Sequence, residues 1–306
     1  MSEKHIPVLL NETIAGLNVR PGKIYVDLTL GRGGHTKEII SRLKFGIVIA
    51  VDQDETAIES AKKLLTSTTN VKTIIVKSNF VHLKKILTDY QISKVDGILM
   101  DLGVSSPQFD EAERGFSYQN DAPLDMRMDR QQILTAREIV NTYSLEQLTK
   151  IFRDYGGEKF AYPIAKNIIK NRPVNTTSEL VEIIKKSKPI RELLKIGHPA
   201  KQIFQALRIE TNDELNVLHK TLYSALEVLN PKGRLAVITF HSGEDKIVKD
   251  IFNQKTKIIG NRHNIPDLEI EPEYQLINKH PIIPSKEEIE KNHRAKSAKL
   301  RIIEKI

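Results

Sequence analysis

The chain contains no cysteine. That excludes a disulfide framework and thiolate metal sites, and it removes any catalytic thiol. No apolar run reaches the roughly 18 residues that a membrane span needs. The opening stretch MSEKHIPVLLNET lacks the apolar core and small-residue cleavage site of a secretory signal. A soluble, cytoplasmic protein with no membrane partner is therefore expected. The nine histidines show no zinc spacing. Asp52-Gln53-Asp54 has Ala57 where a calcium loop requires glycine, so no metal is expected. Ser242 has no G-x-S-x-G elbow around it, which argues against a hydrolase.

What is present is a globular balance: 306 residues, 40 % hydrophobic and 28 % charged. That length suits one large domain or two ordinary ones. The 47 basic and 39 acidic residues leave a net charge of +8. The excess is uneven, because the segment from Lys150 to Lys201 holds 12 basic residues against five acidic ones. A Lys-rich solvated helical surface would look like this, and so would a module that contacts phosphates. Concentration of the charge in one segment favours the second reading, with Lys185, Lys186 and Lys188 as candidate substrate contacts.

The first hundred residues alternate apolar runs with amphipathic stretches. Strands are expected at Ile24–Leu28, Gly46–Val51, Val71–Val76 and Val95–Met100, and helices at His35–Lys44, Glu55–Leu65 and Val81–Leu87. Continuously apolar strands separated by helices imply a parallel sheet covered on both faces, wound as an α/β doubly wound fold. Residues 103–130, rich in Gly, Pro, Ser, Asp and Asn, read as loop. Residues 135–205 read as helical. Sheet logic returns with a helix near Asp213–Leu229, a turn at Asn230-Pro231-Lys232-Gly233, a strand at Leu235–Phe240 and a last strand at Lys299–Ile303. Residues 254–296 show no clear pattern. The expected organisation is a sheet domain formed by residues 1–112 and 212–306, interrupted by a helical insertion at 113–211.

The first strand runs into Asp27-Leu28-Thr29-Leu30-Gly31-Arg32-Gly33-Gly34-His35. A glycine turn between strand and helix lets a ligand approach the backbone. Asp52 ends the second strand about 20 residues later, where an acid commonly accepts from nucleotide ribose hydroxyls. The nucleotide stays open at this point. Thr36 occupies the third glycine position of the dinucleotide fingerprint, which counts against a nicotinamide cofactor. The spacing of Asp27, Gly31 and Gly33 suits S-adenosylmethionine better. Asp101–Gln108 follows the fourth strand and, by the geometry of open sheets, projects into the same crevice. Phe80, just past the third strand, is either core or a stacking surface for adenine. His241 and Asp245, after the fifth long strand, either line the cleft or are structural. Phe116, Tyr118 and Tyr155 are loop anchors or base-stacking groups.

Several blocks together resemble one family. They are His5–Leu10, the loop before His35, Asp52-Gln53-Asp54, DLGVSSPQ at 101–108, ERGFS at 113–117, LDMRMD at 124–129, Phe240-His241-Ser242 and Arg294–Arg301. The chain resembles the bacterial 16S ribosomal RNA (cytosine-N4)-methyltransferase family, formerly called MraW, over nearly its whole length. That resemblance implies a Rossmann-like class I methyltransferase sheet with an inserted all-helical RNA-recognition domain. It implies S-adenosylmethionine as cofactor, bound by Gly33, Gly34, His35, Asp52, Phe80, Asp101 and Gln108. The implied partner is 16S ribosomal RNA within the small ribosomal subunit, and the implied target is the exocyclic amine of a decoding-centre cytosine. One departure is FHSGED at 240–245, where the family carries FHSLED; Gly243 is expected to loosen that turn.

Direct transfer to such an amine requires in-line placement of nitrogen, methyl carbon and sulfur, and acceptors for the hydrogens of an amine that becomes positive. Asp101, the carbonyls of its turn and Ser105 are the candidate catalytic groups. The missing cysteine disfavours ring-carbon methylation through a thiol adduct. Three rival readings remain. They are a nicotinamide-dependent dehydrogenase, a non-catalytic RNA-binding assembly factor, and a methyltransferase acting on protein or a small metabolite.

Overall fold

The computed structural model describes residues 7–65, 70–104, 108–109, 111–257 and 271–306. They form two compact units, one ending at Gly103 and resuming at Leu215, the other spanning Val104–Glu214. The sequence places these seams at 112/113 and 211/212.

In the first unit the chain runs through α1 (Leu10–Leu17), β1 (Ile24–Asp27), α2 (Gly34–Leu43), β2 (Phe45–Asp52), α3 (Glu55–Leu64), β3 (Asn70–Lys77), α4 (Leu83–Asp89) and β4 (Val95–Asp101). The second unit carries α5 (Ala136–Thr142), α6 (Leu145–Asp154), α7 (Ala161–Lys170), α8 (Thr177–Lys186), α9 (Ile190–Leu193) and α10 (Lys201–Asn212). The chain then continues with α11 (Glu214–Glu227), β5 (Leu229–Thr239), α12 (Ser242–Lys255), β6 (Tyr274–Leu276), α13 (Lys286–Lys291) and β7 (Lys299–Lys305).

The seven strands form one sheet in the order β3-β2-β1-β4-β5-β7-β6. Strands β1 to β5 pair in parallel, and β7 runs antiparallel to both β5 and β6. The fold is therefore the expected doubly wound, Rossmann-like sheet, with a mixed rather than wholly parallel edge. Side chains alternate across the pleat. Val26, Ile49, Ile98, Met100 and Val237 enter one buried cluster. Tyr25, Val48, Leu99, Ala236 and Ile238 enter another. Burial on both faces explains why these strands read as continuous apolar runs.

The expected Asn230–Gly233 turn is taken up within β5. The register with β4 shifts between Val95↔Leu229 and Gly97↔Arg234, and Lys232 adopts φ +63°. The unassigned 254–296 region contains β6 and α13. Three residues of β6 are too few to show a period. Tyr274 docks that strand by donating to the Leu226 carbonyl at 2.9 Å.

The order of the strands sets where a ligand can bind. The chain winds outward from β1 to β3, then returns to β4 beside β1 and winds the other way. The carboxyl ends of β1 and β4 thus flank the switch point, the crevice where open α/β sheets take ligands.

The helical unit has its own core, including Phe116, Leu124, Met126, Phe152, Ile164, Leu180, Phe204 and Leu207. Capping boxes start three of its helices: Thr135 with Glu138, Ser144 with Gln147, and Thr176 with Glu179. Each satisfies two otherwise unpaired backbone groups and contributes about 1 kcal/mol. The ERGFS and LDMRMD blocks meet here as a brace. Arg114 is 2 % exposed and donates to the carbonyls of Arg127 and Met128 at 3.0 and 3.1 Å. Asn212 accepts from the Met128 N–H and donates to the Met126 carbonyl, both at 2.8 Å. These bonds hold Met126 at φ +59°, a conformation rare for a side chain of its size. The LDMRMD block is thus an internal fastener.

The basic segment also contains a buried ion pair. Lys188 Nζ lies 2.6 Å from Glu158 Oε2, with the two side chains 7 % and 2 % exposed. It also donates to the Pro199 carbonyl at 2.7 Å. Lys188, expected among the phosphate contacts, is corrected to a structural residue. Removing one member of a buried pair strands the other. Lys188→Met should therefore lower unfolding stability in denaturant by about 3–5 kcal/mol, and Lys188→Met with Glu158→Leu should regain most of that. An unaltered midpoint for the single variant would return Lys188 to the surface set.

Candidate active site at the sheet switch point

Three carboxylates end adjacent strands at the carboxyl rim: Asp52 on β2, Asp27 on β1 and Asp101 on β4. Among the described residues none of them pairs with a Lys or Arg.

Asp27 is fully buried, and burial pushes it above the ordinary carboxylate value. Its Oδ1 accepts from the Thr29 N–H at 3.1 Å and its Oδ2 from the Thr36 hydroxyl at 2.6 Å. Thr36 therefore has a positive reason to stand where a dinucleotide site has glycine. Its hydroxyl ties α2 to the end of β1.

Asp52 braces the glycine turn. Its Oδ2 accepts from the Gly31 N–H at 2.8 Å and its Oδ1 from the Asp54 N–H at 2.9 Å. Burial pushes its pKa up to about 6, and the Asp54 and Asp27 carboxylates add to the shift. Each Asp52 oxygen keeps a further lone pair for an outside donor.

The turn itself is closed by Gly33 N–H donating to Leu30 O at 2.8 Å. Gly31 and Gly33 lie at φ +50° and +81°, which favours glycine. Gly34 has a different reason. A Cβ there would meet Pro7 Cγ at 2.3 Å, so glycine lets α2 pack under the N-terminal segment.

His35 follows, 6 % exposed. Its Nε2 is 3.0 Å from the Val8 carbonyl, and its Nδ1 is 3.6 Å from Asp101 Oδ2. Burial drives its pKa down to about 4. Asp101 moves the other way. Burial first, then the Asp27 and Glu244 carboxylates, hold it well above the ordinary value. The Asp101 N–H donates to Thr29 Oγ1 at 2.6 Å, while its Oδ1 is buried with no hydrogen-bond partner.

Phe80 begins a short 3-10 turn after β3 and packs, partly buried, against the main sheet core. Asn79 caps that turn by accepting from the Val81 N–H, and donates to Gln53 Oε1 at 3.0 Å. This Gln53–Asn79 bridge joins the ends of β2 and β3. The sequence reading missed it, although an Asn directly before a helical turn is a capping signal.

Beyond β5, His241 and Glu244 form the capping box of α12. Glu244 Oε2 accepts from the Phe240 and His241 N–H groups at 2.7 and 3.2 Å. The FHSGED segment is therefore closed rather than loosened. Gly243 sits in the first helical turn, where a Cβ would approach His241 Nδ1 to 3.1 Å. Asp245 takes a structural role. It holds Arg301 at 2.7 Å and Lys299 at 3.0 Å, fastening α12 to β7.

The switch point thus collects Gly33, His35, Asp52 and Asp101 at one rim, with Phe80 at the end of β3. Gln108 is buried in the helical unit. Ser105, with Ser106 and Pro107, lies outside the described residues. Phe116 is core, and Tyr118 stacks on His198 with centroids 4.3 Å apart. Lys185 is paired with Glu182 at 2.9 Å, and Lys186 is exposed.

A doubly wound sheet with a glycine turn after β1 and acids ending β1, β2 and β4 defines the Rossmann-like, nucleotide-binding class. A family model described as the MraW methylase family matches residues 2–306. The chain is 53 % identical over 308 residues to ribosomal RNA small subunit methyltransferase H of Mesoplasma florum, covering 99 % of each. It is 50 % identical over 312 residues to the protein of the same name in Finegoldia magna, covering 100 % of each. Among solved structures, an rRNA methylase from Streptococcus thermophilus aligns over 97 % of this chain and 92 % of its own, at 12 % identity and a TM-score of 0.42. The chain belongs to the MraW methylase family and is a methyltransferase.

Asp52→Ala removes the acceptor for Gly31 and Asp54 together with the expected ribose contact. Calorimetric affinity for S-adenosylmethionine should fall by at least about tenfold, or about 1.4 kcal/mol, while the protein still unfolds cooperatively. Unchanged affinity would remove Asp52 from the site.

Proposed function

We propose that this methyltransferase uses S-adenosylmethionine to methylate the N4 amine of a decoding-centre cytosine in the 16S RNA of the small ribosomal subunit, in the cytoplasm. The observation that carries this reading is the family match over residues 2–306. Relatives half identical to the chain bear the name ribosomal RNA small subunit methyltransferase.

The residues at the rim fit a cationic adenosyl ligand. Asp101 Oδ1 is a buried acceptor without a donor, and the acids of the rim have no Lys or Arg partner among the described residues. Asp52 would hold the ribose hydroxyls on its remaining lone pairs, Phe80 would cover one face of the adenine, and the Gly31–Gly33 turn and His35 would border the amino-acid end. Gln108 joins this set by family resemblance. When bound, S-adenosylmethionine supplies a methyl group already activated by its sulfonium.

The protein's remaining tasks concern the amine. A cytosine N4 is a weak nucleophile, because its lone pair is delocalised into the ring. The chain must hold it in line, about 3 Å from the methyl carbon. It must also accept the amine's hydrogen bonds as positive charge grows on nitrogen. Asp101, the carbonyls of the turn after β4 and the Ser105 hydroxyl are the acceptors proposed for that role.

A stacked base cannot reach such a rim, so the substrate cytosine is unpaired or flipped out. The helical unit supplies exposed cations for the RNA backbone, among them Lys166, Lys170, Lys186, Arg191 and Lys201. Backbone contacts of this kind read RNA shape rather than sequence.

The test is transfer of tritiated methyl from S-adenosylmethionine to small-subunit particles and to free 16S RNA, followed by nucleoside analysis. The expected product is N4-methylated cytidine. Label on a ring carbon, on ribose or on protein would overturn the assignment.

A further inference from the structure

We propose that Asp101, beside a neutral His35, holds a proton in the unliganded protein and releases it when a cationic group of the methyl donor docks against its carboxyl group. The inference deepens the reading above and rests on it.

The partners of His35 fix its tautomer. A carbonyl can only accept, so the Val8 carbonyl 3.0 Å away requires a hydrogen on Nε2. In the neutral ring Nδ1 then carries a lone pair. That lone pair faces Asp101 Oδ2 across 3.6 Å. A lone pair opposite a carboxylate oxygen is repulsive, and one proton between the two atoms makes the contact attractive.

The proton has two available homes, Nδ1 of His35 or Oδ2 of Asp101. The imidazole is buried, which disfavours an imidazolium; burial pushes its pKa down to about 4. Asp101 faces further negative charge from two neighbouring elements, Asp27 at the end of β1 and Glu244 on α12. Among the described residues its other polar neighbours are Thr29, which accepts its N–H, and the buried, neutral His35. The proton therefore resides on Asp101, as a carboxylic acid whose Oδ2 lies 3.6 Å from Nδ1.

Oδ1 completes the argument. It is buried and makes no hydrogen bond, an arrangement that folded proteins rarely leave unmet. The Asp101 side chain as a whole is 22 % exposed, so a cationic ligand group can reach the carboxyl group and change the balance there. The O–H bond breaks, its electron pair stays on Oδ2, and the proton leaves to solvent. The carboxylate that remains is stabilised by the cation instead.

The sign of the pH dependence follows. The unliganded protein binds the extra proton, so affinity rises with pH until Asp101 has ionised in the free protein, then levels off. The raised folded-state value also means that stability gained from the neutral acid is present at low pH. It is lost as pH rises through that value. The unliganded protein therefore weakens over the same interval in which its affinity for the cation increases.

The experiment is calorimetric titration of the full-length protein with S-adenosylmethionine over a series of pH values, each in two buffers that differ in ionisation enthalpy. The expected result is a buffer-dependent heat corresponding to release of up to one proton. Below the Asp101 titration, affinity should rise by about tenfold per pH unit. Asp101→Asn should abolish both the release and the pH dependence. Binding with buffer-independent heat in the native protein overturns the proton exchange and leaves the cofactor reading standing. Release that persists in Asp101→Asn overturns the assignment to Asp101. No binding of S-adenosylmethionine at all removes the cofactor reading, and the inference falls with it.

Discussion

The site depends on crowded negative charge at a place the fold dictates. A doubly wound sheet has a switch point, and here it brings the ends of β1 and β4 side by side, with β2 next in the sheet. Each of these three strands ends in aspartate. Buried carboxylates without a cation are disfavoured as anions. The protein answers with donors where it can. Thr29 and Thr36 serve Asp27, and the Gly31 and Asp54 N–H groups serve Asp52. Asp101 receives no such donor on Oδ1. The rim is therefore built to receive positive charge, which a sulfonium methyl donor carries.

The two units divide the labour of the proposed reaction. The sheet unit presents the carboxylate rim and holds it still through short bonds between strand ends. The helical unit concentrates basic side chains on a fold stabilised internally by its own core and by the Arg114 and Asn212 brace. Lys188 shows why charge counts alone overstate a binding surface. A lysine in the basic segment is buried against Glu158, where it supports the fold and contacts no solvent-borne phosphate.

Much of this was legible in the chain because the relevant signals are local. Strands β1 to β5 announce themselves through apolar runs, and the Gly31–Gly33 turn with Asp52 through spacing. What was not legible depends on distant partners. Thr36 counted only as a missing glycine until its hydroxyl met Asp27. Asp245 resembled a cleft residue, yet its partners are Lys299 and Arg301, more than fifty positions away. The last strand was expected, but its partner β6 was missed because it is three residues long. The LDMRMD block carried family resemblance without a visible role, since its partner Asn212 lies at the far end of the helical unit.

Infrared difference spectroscopy on full-length protein reads the state of Asp101 most directly. Unliganded protein should show the C=O stretch of a protonated, buried carboxylic acid. That band should disappear on adding S-adenosylmethionine and be absent throughout in Asp101→Asn. A carboxylate spectrum that is the same with and without ligand would contradict the idea that this rim waits for its cation.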